Sequence, residues 1–142
     1  MGDSTDRPVL VGVDGSEPSQ HALEWAADEA ERRGAPLECL TAWTWPTAYG
    51  WASVVPEGLD PAGDAGRVLG EQLAPVRTAH PDLEVRAGVV EGRPDQALVE
   101  ASRAAVLLVV GSRGHGGFTD MLIGSTSRYC AAHAHCTVVV HR

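Results

Sequence analysis

Residues 104–127 read AAVLLVVGSRGHGGFTDMLIGSTS, an apolar run followed by two separated glycine clusters and three hydroxyl residues. The run from Ala104 to Val110 has no polar alternation, which predicts a parallel strand buried on both faces. In open α/β sheets, the loop at the carboxyl end of such a strand is where ligands bind. Gly111 and Gly114 allow the backbone to approach a ligand closely, and Gly124 followed by Ser125, Thr126 and Ser127 indicates the start of a helix. Glycine-rich backbone beside a helix amino terminus predicts an anion site, most simply one for phosphate.

The composition is that of an ordinary globular chain and predicts one domain over residues 1–142. Hydrophobic residues make up 44% of the 142 residues, enough for a sizeable core. The net charge of -8 and the pI near 5.1 argue against a nucleic-acid partner, because such binding depends on Lys and Arg neutralising phosphates. No apolar run has membrane-spanning length, and the start, MGDSTDR, contains no apolar signal region. We therefore expect a cytoplasmic protein with no membrane partner.

The chain contains no lysine, which restricts how it can hold phosphate. A Walker A loop and a lysine Schiff base are both excluded, because each needs that side chain. Backbone amides, hydroxyl groups, Arg113, Arg128 or a metal ion remain as phosphate ligands. The three cysteines, Cys39, Cys130 and Cys136, form no CxxC pair, so we expect reduced thiols and no disulfide framework.

Apolar runs alternate with helical patterns along the whole chain. Strands are predicted over residues 8–13, 36–43, 83–90, 104–110 and 136–141. Helices are predicted from the N-cap Ser16 to Gly34, over 64–79, around 95–103 and from about 125 to 134. Pro75 is expected to kink or end the second helix. This alternation predicts a parallel sheet that is covered by helices on both faces.

A long loop is predicted from Thr44 to Gly63, because the segment is rich in Pro, Gly and aromatic residues. Its aromatic side chains, with the one just before it, are Trp43, Trp45, Tyr49 and Trp51. They form either a lid over a bound base or anchors that pack the loop on the surface or against a partner subunit. We favour packing, since a loop of this length needs anchors.

Asp14 ends the first strand, and Gly111 follows the fourth. In a doubly wound sheet these two strand ends are neighbours across the topological switch point, which places a carboxylate beside the anion loop. A carboxylate that faces phosphates is repelled unless it binds a ribose hydroxyl or shares a divalent cation with the phosphate oxygens. Asp-Gly is also a common turn dipeptide, so a purely structural turn is the alternative.

Three motifs resemble the ATP-binding members of the universal stress protein family. They are Gly111-x-x-Gly114 followed after nine residues by Gly124-Ser125, GVDGSEPS at residues 12–19, and VVEGRP at residues 89–94. The resemblance covers nearly the whole chain. It implies a Rossmann-like, doubly wound parallel sheet of five strands in the order 3-2-1-4-5, one adenine nucleotide per subunit, and a homodimer joined through the last strand. Thr137 departs from the pattern, since many relatives have proline there, and this leaves the details of the dimer open.

The resemblance also implies which residues meet the nucleotide, ATP with Mg or Mn. Adenine would lie near Gly12, Val13 and the backbone of Ala42. Ribose would lie between Asp14, Gly111 and Gly114, with Asp14 also close to a nucleotide-bound metal. The phosphates would meet Gly124, Ser125, Thr126 and Ser127 at the start of a helix. Arg113 either reaches the phosphates or is a solvated loop residue.

Other functions are weighed against a nucleotide-dependent stress or regulatory protein that holds ATP. Asp14 with a metal and His115 as a base would support slow ATP hydrolysis, although His115 could equally line the cleft. Fast turnover is not expected, because few charges are available around the terminal phosphate. A dimeric partner-binding module without nucleotide is the remaining alternative. A metal site at His133, His135, His141 and Cys136 is disfavoured, because their spacing resembles no structural zinc motif.

Overall fold

The computed structural model describes residues 6–45, 57–112 and 123–142, and within them strands and helices alternate. The elements are β1 (Val9–Gly12), α1 (Glu17–Arg33), β2 (Leu37–Trp43), α2 (Pro61–Ala79), β3 (Val85–Glu91), α3 (Pro94–Ala101), β4 (Leu107–Gly111), α4 (Ser125–His133) and β5 (Thr137–His141). The strands pair in parallel in the order β3-β2-β1-β4-β5. The predicted α/β fold and strand order are therefore confirmed. Within the described ranges no helix combines the length and apolar character that crossing a membrane requires.

The sheet separates two apolar clusters, one on each face. Val9, Val11 and Val109 belong to the cluster that α1 and α2 cover. Leu108 and Val110 belong to the cluster that α3 and α4 cover. Neighbouring residues of β4 thus point into different clusters, and Leu107 to Val110 are all buried. This double burial is why the strand has an uninterrupted apolar sequence, as predicted.

The ends of α1 follow the local signals in its sequence. The Ser16 hydroxyl accepts a hydrogen bond from the amide of Ser19 at 3.2 Å and caps the helix start. Gly34 ends the helix in the left-handed region, with φ of 67°, a conformation that glycine adopts without strain. Ala26 and Ala30 lie on its buried face. The predicted limits of this helix are confirmed.

The limits predicted for α2 are wrong at the start and at Pro75. The helix begins at Pro61, because Asp60 caps it by accepting a hydrogen bond from Gly63 N at 3.1 Å, so the preceding loop is shorter than expected. At the other end the helix continues through Pro75 to Ala79. Pro75 is exposed, whereas the flanking Val76 is buried in the core. Burial of the adjacent turns therefore outweighs the one backbone hydrogen bond that proline cannot donate.

The third predicted helix is divided into two parts. The α-helix α3 ends at Ala101 and a short 3-10 turn follows over Ser102–Ala104. The Ser102 side chain is fully buried, donates to the carbonyl of Val99 at 2.6 Å, and accepts from the amide of His135 at 2.9 Å. These bonds join the end of α3 to the connection between α4 and β5.

Candidate nucleotide site

The candidate site lies where the carboxyl ends of β1 and β4 meet. These strands are paired neighbours, with Val11 opposite Val109. The chain then diverges, because β1 leads through α1 to β2 and β4 leads through α4 to β5, on the other side of the sheet. The resulting crevice is the topological switch point where open α/β sheets bind ligands. Gly111 is the last residue of β4 there, and Asp14 lies two residues beyond the end of β1, so the two predicted strand ends are on neighbouring strands.

Hydrogen bonds fix the start of α4 against the end of β4. The amide of Gly124 donates to the carbonyl of Ser112 at 2.6 Å, and the amide of Ser112 donates to the carbonyl of His141 at 2.7 Å. The Ser127 hydroxyl donates to the carbonyl of Gly111. Both ends of the glycine loop are therefore held together at the sheet edge, and the proton of the buried Ser127 hydroxyl is used inside the protein.

The first turn of α4 presents backbone donors without a side-chain cap. Gly124 is its N-cap and has φ of -64° and ψ of 160°, and among the described residues no side chain caps this end. The first intrahelical bond runs from the amide of Arg128 to the carbonyl of Gly124 at 3.0 Å, so the amides of Ser125, Thr126 and Ser127 have no partner within the helix. Any residue can adopt the backbone angles of Gly124. Glycine is thus not required there by backbone conformation.

Asp14 belongs to a hydrogen-bonded turn between β1 and α1. Its Oδ1 atom accepts from the Ser16 amide at 2.9 Å and from the Ser16 hydroxyl at 2.5 Å. Gly15 between them has φ of 85°. The structural role of an Asp-Gly turn is therefore present, while the Asp14 side chain is exposed at the crevice. The described residues include no group of three His, Cys, Asp or Glu placed to hold a metal.

A buried amide that the sequence did not reveal supports this turn. Gln72 lies on the core-facing side of α2 with 8% exposure. Its Oε1 atom accepts from the Gly15 amide at 3.1 Å and from the Ser19 hydroxyl at 2.8 Å, and its Nε2 atom donates to the carbonyl of Ser16 at 3.0 Å. All of these contacts are to the β1–α1 turn.

The residues expected near adenine lie at the ends of β1 and β2. Val13 has its side chain in the core, its amide bonded to the carbonyl of Leu40 at 3.0 Å and its carbonyl bonded to the Thr41 hydroxyl at 3.0 Å. A Cβ atom on Gly12 would lie only 2.7 Å from Leu98 Cδ1 of α3, so this glycine already has a packing reason. Ala42 is half-buried at the end of β2 and pairs with Val90.

The aromatic segment begins with a pair of indole rings. Trp43 and Trp45 contact edge to face, with 5.6 Å between ring centroids, and Trp45 is 43% exposed. This contact agrees with packing of the rings on each other and leaves the lid interpretation open. Tyr49 and Trp51 lie outside the described residues, as do Arg113, Gly114 and His115.

Arg93 is a cation that the sequence reading did not single out. It precedes α3, and its guanidinium lies 6.0 Å from the centre of the Tyr129 ring on α4. Tyr129 is one turn beyond Ser125, and long side chains on a helix lean toward its start. Arg93 also bonds the Asp95 carboxylate at 2.6 Å, which raises the pKa of the guanidinium. The other arginine near this end, Arg128, donates to the carbonyl of Ile123 at 3.5 Å.

The cysteines and histidines near the end of α4 form no metal centre in the described part of the chain. Cys39, Cys130 and Cys136 are all free thiols. Burial raises the pKa of Cys130 to about 11, an effect to which the Asp95 charge adds. His133 packs on the Tyr129 ring, with 4.4 Å between centroids. Cys130 and Cys136 pack in the apolar cluster that α3, α4 and β5 share, whereas His133 and His135 are exposed.

A sequence model described as the Universal stress protein family matches residues 6–142. The chain belongs to this family. Universal stress protein Rv2623 of Mycobacterium tuberculosis is 42% identical over 138 residues, a match that covers 95% of this chain and 45% of that protein. A universal stress protein of Mycolicibacterium smegmatis is 40% identical over 136 residues, with coverage of 95% and 45%. The chain thus spans about half the length of these curated relatives.

Solved structures agree with the fold. A universal stress protein crystallised in complex with cAMP is 26% identical, with a TM-score of 0.73 and coverage of 97% of this chain and 98% of that one. The universal stress protein of Archaeoglobus fulgidus in complex with dAMP is 22% identical, with a TM-score of 0.67 and coverage of 97% and 99%. At that lower identity the second likeness concerns the fold alone.

Proposed function

We propose that this chain binds ATP at the crevice between β1 and β4 and holds it as a nucleotide-dependent stress or regulatory protein. The observation that carries the proposal is the uncapped start of α4, which hydrogen bonds fix against the end of β4 beside Asp14. Three backbone amides and the positive end of the helix dipole are available for phosphate there. The cAMP complex of a relative with the same fold supports an adenine nucleotide as the ligand.

The proposal gives each part of the crevice a role. Ser125 and Thr126 add hydroxyl donors to the amides at the phosphates, whereas the Ser127 hydroxyl mainly orders the loop through Gly111. Asp14 binds the ribose or a nucleotide-bound Mg²⁺ or Mn²⁺ ion. Arg113 and Gly114 complete the ribose and phosphate side. Gly12, Val13 and Ala42 border the adenine.

We expect retention of ATP and not rapid hydrolysis. A fast phosphoryl transfer site surrounds the terminal phosphate with fixed positive charges and an oriented water. This chain has no lysine, and of the two described arginines near the start of α4, Arg93 is paired with Asp95 and Arg128 donates to the carbonyl of Ile123. Turnover of more than about 1 s⁻¹ with Mg²⁺, abolished by Asp14→Ala, would contradict this part of the proposal.

The test is calorimetric titration of the purified chain with ATP, AMP and cAMP, with Mg²⁺ or with EDTA. Gly124→Val should abolish binding with the fold retained, because the side chain would occupy the space of the phosphates. Gly70→Val is the matched control, since nothing lies within 4 Å of a Cβ at that exposed helical position. Asp14→Ala should weaken binding and remove its dependence on Mg²⁺. Unchanged ATP affinity in folded Gly124→Val would refute the site.

We also propose that residues 1–142 form one domain that pairs with a second copy through β5. In the described part of the chain β5 pairs with β4, which makes it an edge strand of the sheet. An edge strand offers backbone groups to a partner chain. Sedimentation equilibrium of the purified chain should give the mass of a dimer, and a monomer at micromolar concentration would contradict the proposal. Dimerisation without any bound or added nucleotide would favour the partner-binding module.

A further inference from the structure

We propose that Gln72 is a positioning residue that sets nucleotide affinity by holding the turn that carries Asp14. The inference rests on the proposed function and extends it to a residue in α2, outside the crevice. Gln72 is a polar side chain at a buried, core-facing position. Gln72 shares the buried side of α2 with Leu69, Leu73 and Val76, where an apolar side chain would avoid the cost of burying an amide.

The hydrogen bonds of Gln72 all converge on one short segment. The side-chain oxygen receives the Gly15 amide and the Ser19 hydroxyl, and the side-chain nitrogen donates to the carbonyl of Ser16. The orientation of the amide is determined by these partners, because the reverse orientation would place its NH₂ group against the Gly15 amide and its oxygen against the Ser16 carbonyl. Gln20 adds a bond from α1 to the backbone carbonyl of Gln72 at 3.1 Å. Through Gln72, α2 therefore accepts a hydrogen bond from the amide of Gly15 and donates one to the carbonyl of Ser16.

Two steps connect Gln72 to Asp14. The Ser19 hydroxyl donates to Gln72 and accepts from the amide of Asp14 at 3.2 Å. The amide of Gly15, the residue after Asp14, is bonded to Gln72 directly. Gly15 has a φ of 85°, in the left-handed region that favours glycine. Since the Asp14 carboxylate is itself bonded to Ser16, the carboxylate and the turn form one unit. Removing Gln72 leaves the Gly15 amide unpaired and allows this unit to shift.

Removing Gln72 should weaken nucleotide binding through the position of the Asp14 carboxylate. A carboxylate binds a ribose hydroxyl or a metal ion well only when its position is fixed before the ligand arrives. Gln72 does not itself touch the crevice, so its removal should cost only what Asp14 contributes. The effects of removing Gln72 and Asp14 should therefore not add.

The test is a double-mutant cycle on ATP affinity, measured by calorimetric titration of the full chain with Mg²⁺. Gln72→Met keeps the length and volume of the side chain but removes its hydrogen bonds. We expect about tenfold weaker binding, which is the effect of losing one hydrogen bond between the charged Asp14 carboxylate and the nucleotide. Leu73→Met is the control, a neighbouring buried position of α2 in the apolar cluster, and should bind as the wild type does. The double variant Asp14→Ala/Gln72→Met should bind no more weakly than Asp14→Ala alone. Ser19→Ala breaks the same relay from the other side and replaces Gln72→Met if that variant fails to fold.

The outcomes separate the two proposals. If the wild-type chain binds ATP and Gln72→Met binds equally well, the role of Gln72 is refuted while the nucleotide site stands. If the two single effects multiply in the double variant, Gln72 acts through general stability and the inference is again refuted. If the wild-type chain does not bind any adenine nucleotide, the proposed function fails, and the positioning role fails with it.

Discussion

Replacing Gly12 by alanine tests whether this glycine serves the nucleotide or the packing of α3. The added Cβ atom would lie 2.7 Å from Leu98 Cδ1, 3.4 Å from its Cδ2 and 3.6 Å from its Cγ. Carbon atoms normally approach to about 3.5–4.0 Å, so the end of Leu98 has to move by close to 1 Å. Leu98 is only 3% exposed and belongs to the cluster with Leu10, Leu40 and Leu108.

The expected net loss of stability is about 0.5 kcal/mol. Overpacking of a core position costs roughly 1–3 kcal/mol, toward the lower end here because the clashing atom ends a flexible side chain. Replacing glycine in a strand by alanine returns about 0.5–1 kcal/mol, since the unfolded chain loses freedom. Urea unfolding of Gly12→Ala at 25 °C measures the difference. Gly88→Ala on β3 is the matched control, because its Cβ would meet Leu40 Cδ1 at an ordinary 3.6 Å, and we expect it to stabilise.

The decisive measurement repeats Gly12→Ala in a Leu98→Ala background. Leu98→Ala alone should cost about 2–5 kcal/mol through the cavity that it leaves. Without the leucine the clash is absent, so Gly12→Ala should then stabilise the protein by about 0.5–1 kcal/mol. A sign change between backgrounds identifies Leu98 as the reason for Gly12. Equal destabilisation in both backgrounds would refute this reasoning and favour a direct role of Gly12 at the adenine.

Three further substitutions probe the fold around the site. Pro75→Ala should stabilise the protein by about 1–3 kcal/mol in thermal or urea unfolding, because it restores a helical hydrogen bond at an exposed position; a loss of stability would contradict this. Ser127→Ala should cost about 1 kcal/mol and weaken ATP binding, since the carbonyl of Gly111 loses its donor; unchanged affinity would mean that the bond does not order the loop. Burial raises the pKa of Cys39 from 9.0 to about 12, so its thiol stabilises the fold fully below pH 9 and this contribution is lost between pH 9 and 12. Cys39→Ala should flatten that alkaline decline in the free energy of unfolding.

The parts of the fold that depend on local sequence were predictable. The apolar run before Gly111 identifies a doubly buried strand, because only such a strand needs no polar alternation. Ser16 and Gly34 identify the ends of α1, because capping chemistry involves residues within one turn. The edge of the sheet that holds the candidate site follows from these elements and the parallel order.

The supports of the site were not predictable, because they depend on contacts between distant parts of the chain. Gln72 stands in a helical segment where a single glutamine is normally a surface residue, and its partners lie 53 to 57 residues earlier. Gly12 resembles a ligand-binding glycine in a motif, yet its nearest neighbour is Leu98 of α3. Pro75 normally indicates a helix end, and only the burial of Leu73 and Val76 explains why α2 continues. Tertiary packing decided each of these cases.

The two helices that begin beside the crevice between β1 and β4, α1 and α4, have opposite arrangements at their first turns. At α1 the Ser16 hydroxyl caps the helix, and the amides of Asp14, Gly15 and Ser16 are all bonded within the protein. At α4 the N-cap is a glycine, the helix start is held by bonds to Ser112 and Gly111, and among the described residues no side chain caps the next three amides. An anion gains most where donors are fixed in place but unpaired. In a chain without lysine we therefore expect phosphate at α4 and the Asp14 carboxylate at the β1–α1 turn beside it. Gln72 bonds the Gly15 amide at the β1–α1 turn, whereas among the described residues no side chain caps the first turn of α4.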